Sequence, residues 1–107
     1  MARSLDIEEM RSALQLGRIE WHRHALERMV EREIARMHVL EVLDFGERIE
    51  DYSGDHPLPS ALFLGTVEGR PIHVVAAFNA RASMVHIITV YEPGSEKFED
   101  DWRTRRT

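Results

Sequence analysis

The 107 residues include no cysteine, so neither a disulfide framework nor a thiolate zinc site can form. No cationic start is followed by an apolar run; a secretory signal is therefore not expected, and the cytoplasm is the expected location. The longest apolar runs, near residues 72–78 and 85–91, are strand-length. A spanning helix needs roughly 20 apolar residues, so no membrane partner is expected. Positive charge is not in excess either: 14 Lys plus Arg against 19 Asp plus Glu leave a formal charge of −5. That balance argues against coating nucleic acid by long-range attraction and confines any RNA contact to a local patch. Repeats and low-complexity stretches are also missing. What is present is 43% apolar residues, enough for one core in a single domain over residues 1–107.

Charge is laid out unevenly. Residues 17–38 mix five arginines with four glutamates and three histidines, residues 41–56 are strongly acidic, and the tail reverses with Arg103, Arg105 and Arg106. The only proline-rich punctuation, Asp55-His56-Pro57-Leu58-Pro59-Ser60, reads as a loop.

Residues 6–16 predict an amphipathic helix, with Asp6 as cap, Ile7, Met10 and Leu14 on one stripe and Gly17 as stop. Arg18 to Trp21 reads as a short extended link. A second helix is predicted over 23–33; the apolar phase then shifts, which predicts a break near Glu33 to Ala35 and a third helix over 36–44 ending at Gly46. Beyond Gly46 the period becomes that of strands, over 48–52, 61–67, 72–78 and 84–91. Glu68-Gly69 is a two-residue hairpin turn that pairs Val67 with Arg70 and Leu64 with His73. For the last hairpin, even spacing predicts Ala77 opposite Val85, Val75 opposite Ile87, His73 opposite Thr89 and Pro71 opposite Tyr91. Residues 95–105 are predicted to form a short terminal helix carrying Phe98 and Trp102. The fold class is α+β, with N-terminal helices packed on a small antiparallel sheet.

Under that register one sheet face is a core face, carrying Phe63, Ile72, Val74, Ala76, Phe78, Met84, His86, Ile88 and Val90. The other gathers His73, Thr89 and Tyr91 at one end, groups suited to proton exchange and to orienting an oxygen ligand. The same residues also suit a cross-strand hydrogen bond and an interface aromatic. On the second helix His24, Arg28 and Arg32 recur every four residues and form a stripe able to grip phosphate; a solvated face of helical ion pairs gives the same pattern. Metal ligation by His22 and His24 would need an extended segment, because residues two apart converge only there. No four-ligand spacing is present, and the expectation is that no metal and no other cofactor is bound. His38 and His56 read as surface residues and His86 as a core histidine.

Trp21-His22-Arg23-His24-Ala25-Leu26-Glu27-Arg28-Met29-Val30-Glu31-Arg32, then Gly46-Glu47-Arg48-Ile49-Glu50-Asp51-Tyr52, Gly69-Arg70-Pro71-Ile72-His73-Val74-Val75 and Ile88-Thr89-Val90-Tyr91-Glu92-Pro93, resemble in order the bacterial domain-of-unknown-function family 4258. The likeness covers roughly residues 19–103. That family is in turn similar to the RelE-like toxins of toxin-antitoxin pairs. The resemblance implies a RelE-like toxin fold and a metal-independent endoribonuclease that cleaves mRNA, often at the ribosome, and is silenced by an antitoxin protein. Carried over residue by residue, it places His24, Arg28, His73, Thr89 and Tyr91 in one site. His73 or His24 would take the 2′-hydroxyl proton, Tyr91 or the other histidine would protonate the leaving oxygen, and Arg28 with Arg32 would hold the phosphate. The chain departs from the basic balance usual in such toxins. Two alternatives stand beside this one. A non-catalytic module of the same fold would dock a protein, an antitoxin or a second copy forming a homodimer, through its acidic surface and its Phe98, Trp102 tail. A phosphate or small-molecule site would use the His and Arg stripe.

Overall fold

The computed structural model describes residues 4–54 and 57–107. Asp55 and His56, and with them the expected surface position of His56, lie outside the described residues. The elements run α1 (Ile7–Gln15), β1 (Ile19–Trp21), α2 (Arg23–Arg32), α3 (Arg36–Phe45), β2 (Glu47–Tyr52), β3 (Ser60–Val67), β4 (Arg70–Asn79) and β5 (Met84–Tyr91). Among the described residues, no helix is long and apolar enough to cross a membrane.

The helix ends follow local chemistry. The Asp6 carboxylate accepts the Glu9 N–H at 3.1 Å and opens α1. Gly17, at φ +74°, closes it, with the Arg18 and Gly17 amides donating to the Ala13 and Leu14 carbonyls. Glu33 turns left-handed at φ 54° and separates α2 from α3, where the apolar phase shift predicted a break. The Arg11 side chain then reaches from α1 to the Leu43 and Gly46 carbonyls, at 2.9 and 3.0 Å, and satisfies the C-terminal end of α3.

The strands form one sheet in the order β1-β5-β4-β3-β2. Its four long strands are antiparallel as expected, but the extended link is a fifth strand, β1, that pairs parallel with β5, so the sheet is mixed. Among the described residues, buried side chains of α1, α2 and α3 meet alternate strand positions, Phe63, Ile72, Val74, Phe78, Val85, Ile87 and Val90 among them, in one apolar cluster. Gly65 lets α3 come close to β3, since a Cβ there would stand 2.9 Å from Val42 Cγ2.

The β3–β4 hairpin has the expected register, with Val67 opposite Arg70 and Leu64 opposite His73. The β4–β5 register differs. Phe78 faces Val85 and Ala76 faces Ile87, a bulge follows, and then Val75 faces Thr89 and His73 faces Tyr91. The extra residue flips one half of β5 relative to the other. Val85 and Ile87 therefore join Val90 in the core, while Met84, His86 and Ile88 leave the face expected for them. The physical reason lies in His86, since a regular strand would bury its imidazole among aliphatic side chains, where its polar nitrogens would lose water.

The terminal segment is not the expected helix. Residues 94–106 form successive turns and a bridge between Phe98 and Arg105. Asp101 holds the turn, its carboxylate accepting the Arg103 and Thr104 amides and the Thr104 hydroxyl; these bonds, led by the hydroxyl, lower its pKa to about 2. Phe98 is 2% exposed and anchors the segment as a strap over the sheet face opposite the helices. A continuous helix over 95–105 would forgo that anchorage together with the Asp101 turn.

Candidate functional site

On the strap-covered face, β4 supplies His73 and β5 supplies Tyr91, directly opposite in the ladder. His73 is fully buried. Its Nε2 lies 2.6 Å from the Trp102 carbonyl, which can only accept, so Nε2 carries the proton and Nδ1 is left to accept from the Tyr91 hydroxyl at 3.3 Å. Phe98 packs edge-on against the imidazole at 4.6 Å. Burial lowers the His73 pKa below its usual range, partly offset by the Trp102 carbonyl and the Glu50 charge, and burial likewise raises that of Tyr91. Near neutral pH both groups are uncharged.

Beside this pair, β2 presents Glu50 to the strap. Arg105 donates to both Glu50 oxygens, and the Tyr52 hydroxyl donates to the same carboxylate. The Arg105 bonds hold Glu50 ionised below the usual carboxylate range, while burial and then Glu50 push Tyr52 up to about 12. A cleft of about 380 Å³ opens here, lined by Tyr91, Glu92, Gly94, Glu96, Lys97, Phe98 and Arg105. A tyrosine hydroxyl backed by a neutral histidine thus shares a cleft with two cationic side chains. The site can pass a proton, and Lys97 offers a cation to an anion there; Arg105 shares its charge with Glu50, and Glu92 and Glu96 line the same cleft.

The helix stripe is elsewhere. Ala25 and Met29 of α2 are in the core on the opposite side of the sheet, and His24, Arg28 and Arg32 are exposed. Arg28 pairs with Glu31 at 3.6 Å. The Arg32 carbonyl accepts from Arg70, whose guanidinium also binds the Glu33 carbonyl and Glu92 and so fastens the end of α2 to the sheet. Among the described residues, no hydrogen bond, ion pair or ring contact joins His24, Arg28 or Arg32 to His73 or Tyr91. Thr89 shares the Tyr91 face one pair further along, opposite Val75. Glu50, Tyr52, Lys97, the Trp102 carbonyl and Arg105 were not singled out from the sequence. The only sequence signal for them is the acidic run over 41–56 facing a basic tail.

A second polar group lies toward the other end of this face. Glu20 is paired with His86 across the parallel β1–β5 ladder, and His22 follows at the start of α2. His22 Nε2 stands 2.9 Å from His86 Nδ1, and Glu20 Oε2 stands 3.5 Å from the same nitrogen. His86 is therefore a half-buried residue of the open face rather than a core histidine. His38, expected at the surface, is half-buried 3.9 Å from Glu68.

The family model for the domain of unknown function DUF4258 matches residues 21–92. The chain belongs to this family. In this DUF4258 domain the match runs from the end of β1 to just past β5, shorter than the stretch over which the resemblance was expected. It takes in His73 and Tyr91 but leaves outside it the strap that buries them. No curated protein and no solved structure matches the chain.

Proposed function

We propose that this domain is a cytoplasmic, toxin-like endoribonuclease that cleaves mRNA by attack of a ribose 2′-hydroxyl on the adjacent phosphate, at the strap-side cleft. The observation that carries the reading is the chain from the Trp102 carbonyl through His73 to the Tyr91 hydroxyl, ending at a cleft that also holds Lys97 and Arg105. In this mechanism Tyr91 oxygen takes the 2′-hydroxyl proton as its own passes to His73 Nδ1. The Trp102 carbonyl stabilises the imidazolium through Nε2–H. The 2′ oxygen bonds to phosphorus, the bond to the 5′ oxygen breaks, and Lys97 supplies the proton to that leaving oxygen. Arg105 offsets charge on the phosphorane. The fold and toxin likeness to the RelE group, with an antitoxin protein as silencing partner, belongs to the same proposal.

The test is cleavage of mRNA, free and on ribosomes, by the purified chain. Tyr91→Phe removes the relay hydroxyl with little change of shape and should reduce cleavage on the order of a hundredfold or more. His24→Ala and Arg28→Ala should stay near wild type. Equal cleavage by Tyr91→Phe and wild type overturns the mechanism.

One observation favours a second reading, a protein-docking module. Val30 is 80% exposed beside an apolar cleft between α2 and α3, lined by Leu26, Met29, Ile34 and Ala35. In that reading the docking face is α2, since Phe98 of the tail is already buried against His73. A docking module leaves RNA intact in the same assay, with wild type and variants alike.

A further inference from the structure

We propose that Glu20, His22 and His86 bind a divalent transition-metal ion of the zinc class, leaving at least one coordination position open to the neighbouring cleft. The proposal goes beyond the ribonuclease reading and does not depend on it: His86 sits beside Ala77, four residues along β4 from His73, or about 13 Å at the usual strand rise.

Geometry comes first. The three side chains each offer one ligand atom, and these atoms all lie within 4.8 Å of one another. Ligands about 2.0–2.2 Å from a common ion, at octahedral or tetrahedral angles, are separated by roughly 2.9–3.5 Å. The two measured separations, 2.9 Å between the ring nitrogens and 3.5 Å from Glu20 to His86, fall in that span. An ion can enter with small side-chain adjustments. The rings meet edge to face, 5.1 Å between centroids at 87°, with the two nitrogens sharing a hydrogen bond whose proton an ion would displace.

The backbone holds these groups in place. Glu20 and His22 are two apart on an extended segment, so they share a side, and the parallel ladder sets Glu20 beside His86. The His22 amide donates to the Ile87 carbonyl, and its own carbonyl accepts the Leu26 amide to start α2. Ligands thus come from a strand, a helix start and a neighbouring strand, each held by main-chain bonds, which favours binding over flexible collapse.

The donor set selects the metal. Two imidazoles and one carboxylate suit zinc, cobalt, nickel or iron; magnesium and calcium require oxygen ligands. The start of α2 places a helix dipole beside the site that opposes a cation, and the Glu20 charge counters it. Structural zinc sites are closed by four protein ligands, whereas three ligands and an open position are the form of sites that bind water or a further ligand. Here the open side meets a largely apolar cleft of about 350 Å³, where Pro57, Leu58, Val75 and Ile88 accompany the two histidines.

The experiment uses the full chain, freed of metal with a chelator and titrated with Zn²⁺ and, separately, Co²⁺. One ion should bind saturably per chain, and excess Mg²⁺ should not compete. His22→Ala and His86→Ala should each weaken binding at least about tenfold, a loss seen even for partners outside the ligand shell, while His38→Ala leaves it unchanged. In ¹⁵N-histidine spectra of the unsubstituted chain, Zn²⁺ should shift His22 Nε2 and His86 Nδ1 before any other ring nitrogen, which keeps the test sound if a variant fails to fold. Absence of saturable binding, retention of binding in the His22→Ala, His86→Ala double variant, or shifts confined to other histidines overturns the proposal.

Discussion

Replacing Phe98 by alanine should release the strap and expose His73. Phe98 is 2% exposed, and its ring meets the His73 imidazole at 4.6 Å and the Arg105 guanidinium at 4.9 Å. Truncating a buried Phe costs about 3–5 kcal/mol. The other ties are weaker: Arg103 to Glu47 and Arg106 to Glu99 are half-exposed pairs worth about 0–1 kcal/mol each, and the His73 bond to the Trp102 carbonyl contributes about 1 kcal/mol. Phe98 therefore outweighs each of these; the Arg105 bonds to both Glu50 oxygens remain as a second fastening of the strap. Its loss should raise the population of strap-open molecules by about a hundredfold to a few thousandfold. Hydrogen exchange reads this at the Glu99, Trp102 and Arg106 amides, all bonded within the strap. Exchange there should accelerate by that factor while far-UV circular dichroism still reports a folded helix-and-sheet core. Strap amides within a few-fold of wild-type exchange would refute the assignment of Phe98 as anchor. Complete unfolding of the variant would refute the strap as a separately opening unit.

Two further outcomes concern His73 and the approach of α3 to β3. His73 has a folded pKa below its ordinary 6.5 because it is buried, so the unfolded chain takes up the proton first as pH falls. Its contribution to stability is complete above that value and is lost as pH drops toward the folded pKa; His73→Gln, which can still donate to Trp102, should flatten urea-measured stability just below pH 6.5, and an unchanged slope would count against the assignment. Gly65→Ala places a methyl 2.9 Å from Val42 Cγ2 and should cost about 1–3 kcal/mol, read as a Tm lower by roughly 4–8 °C for each kcal/mol; an unchanged Tm would mean that α3 can move off β3.

The α2–α3 break was legible because Leu26, Met29 and Val30 keep one helical phase and Val39, Val42 and Leu43 another. Strand β1 was legible only as an extended link, since three residues carry no period, and its parallel partner lies more than sixty positions away. His73 and Tyr91 were legible as neighbours because the error in register was even near that end; His86 was not, because the bulge makes the slip odd on its own side. His24, two residues beyond His22, lies on α2 and is exposed. The extended backbone that lets residues two apart converge holds Glu20 and His22, and it ends where α2 begins.

By itself, the sequence determined what depends on near neighbours: the caps and stops of the helices, the alternation of the strands, and the Glu68-Gly69 turn that sets the β3–β4 register. The tertiary structure alone decided what depends on burial and on charge across long separations. The cost of burying His86 selected the bulge. Phe98 found its place against His73 rather than on a helix, and the basic tail met the acidic β2 through Arg103 with Glu47 and Arg105 with Glu50, 56 and 55 residues apart. A strand or helix pattern repeats along the chain and is visible there. A contact between distant residues is set by the free energy of the whole fold, and no local period records it.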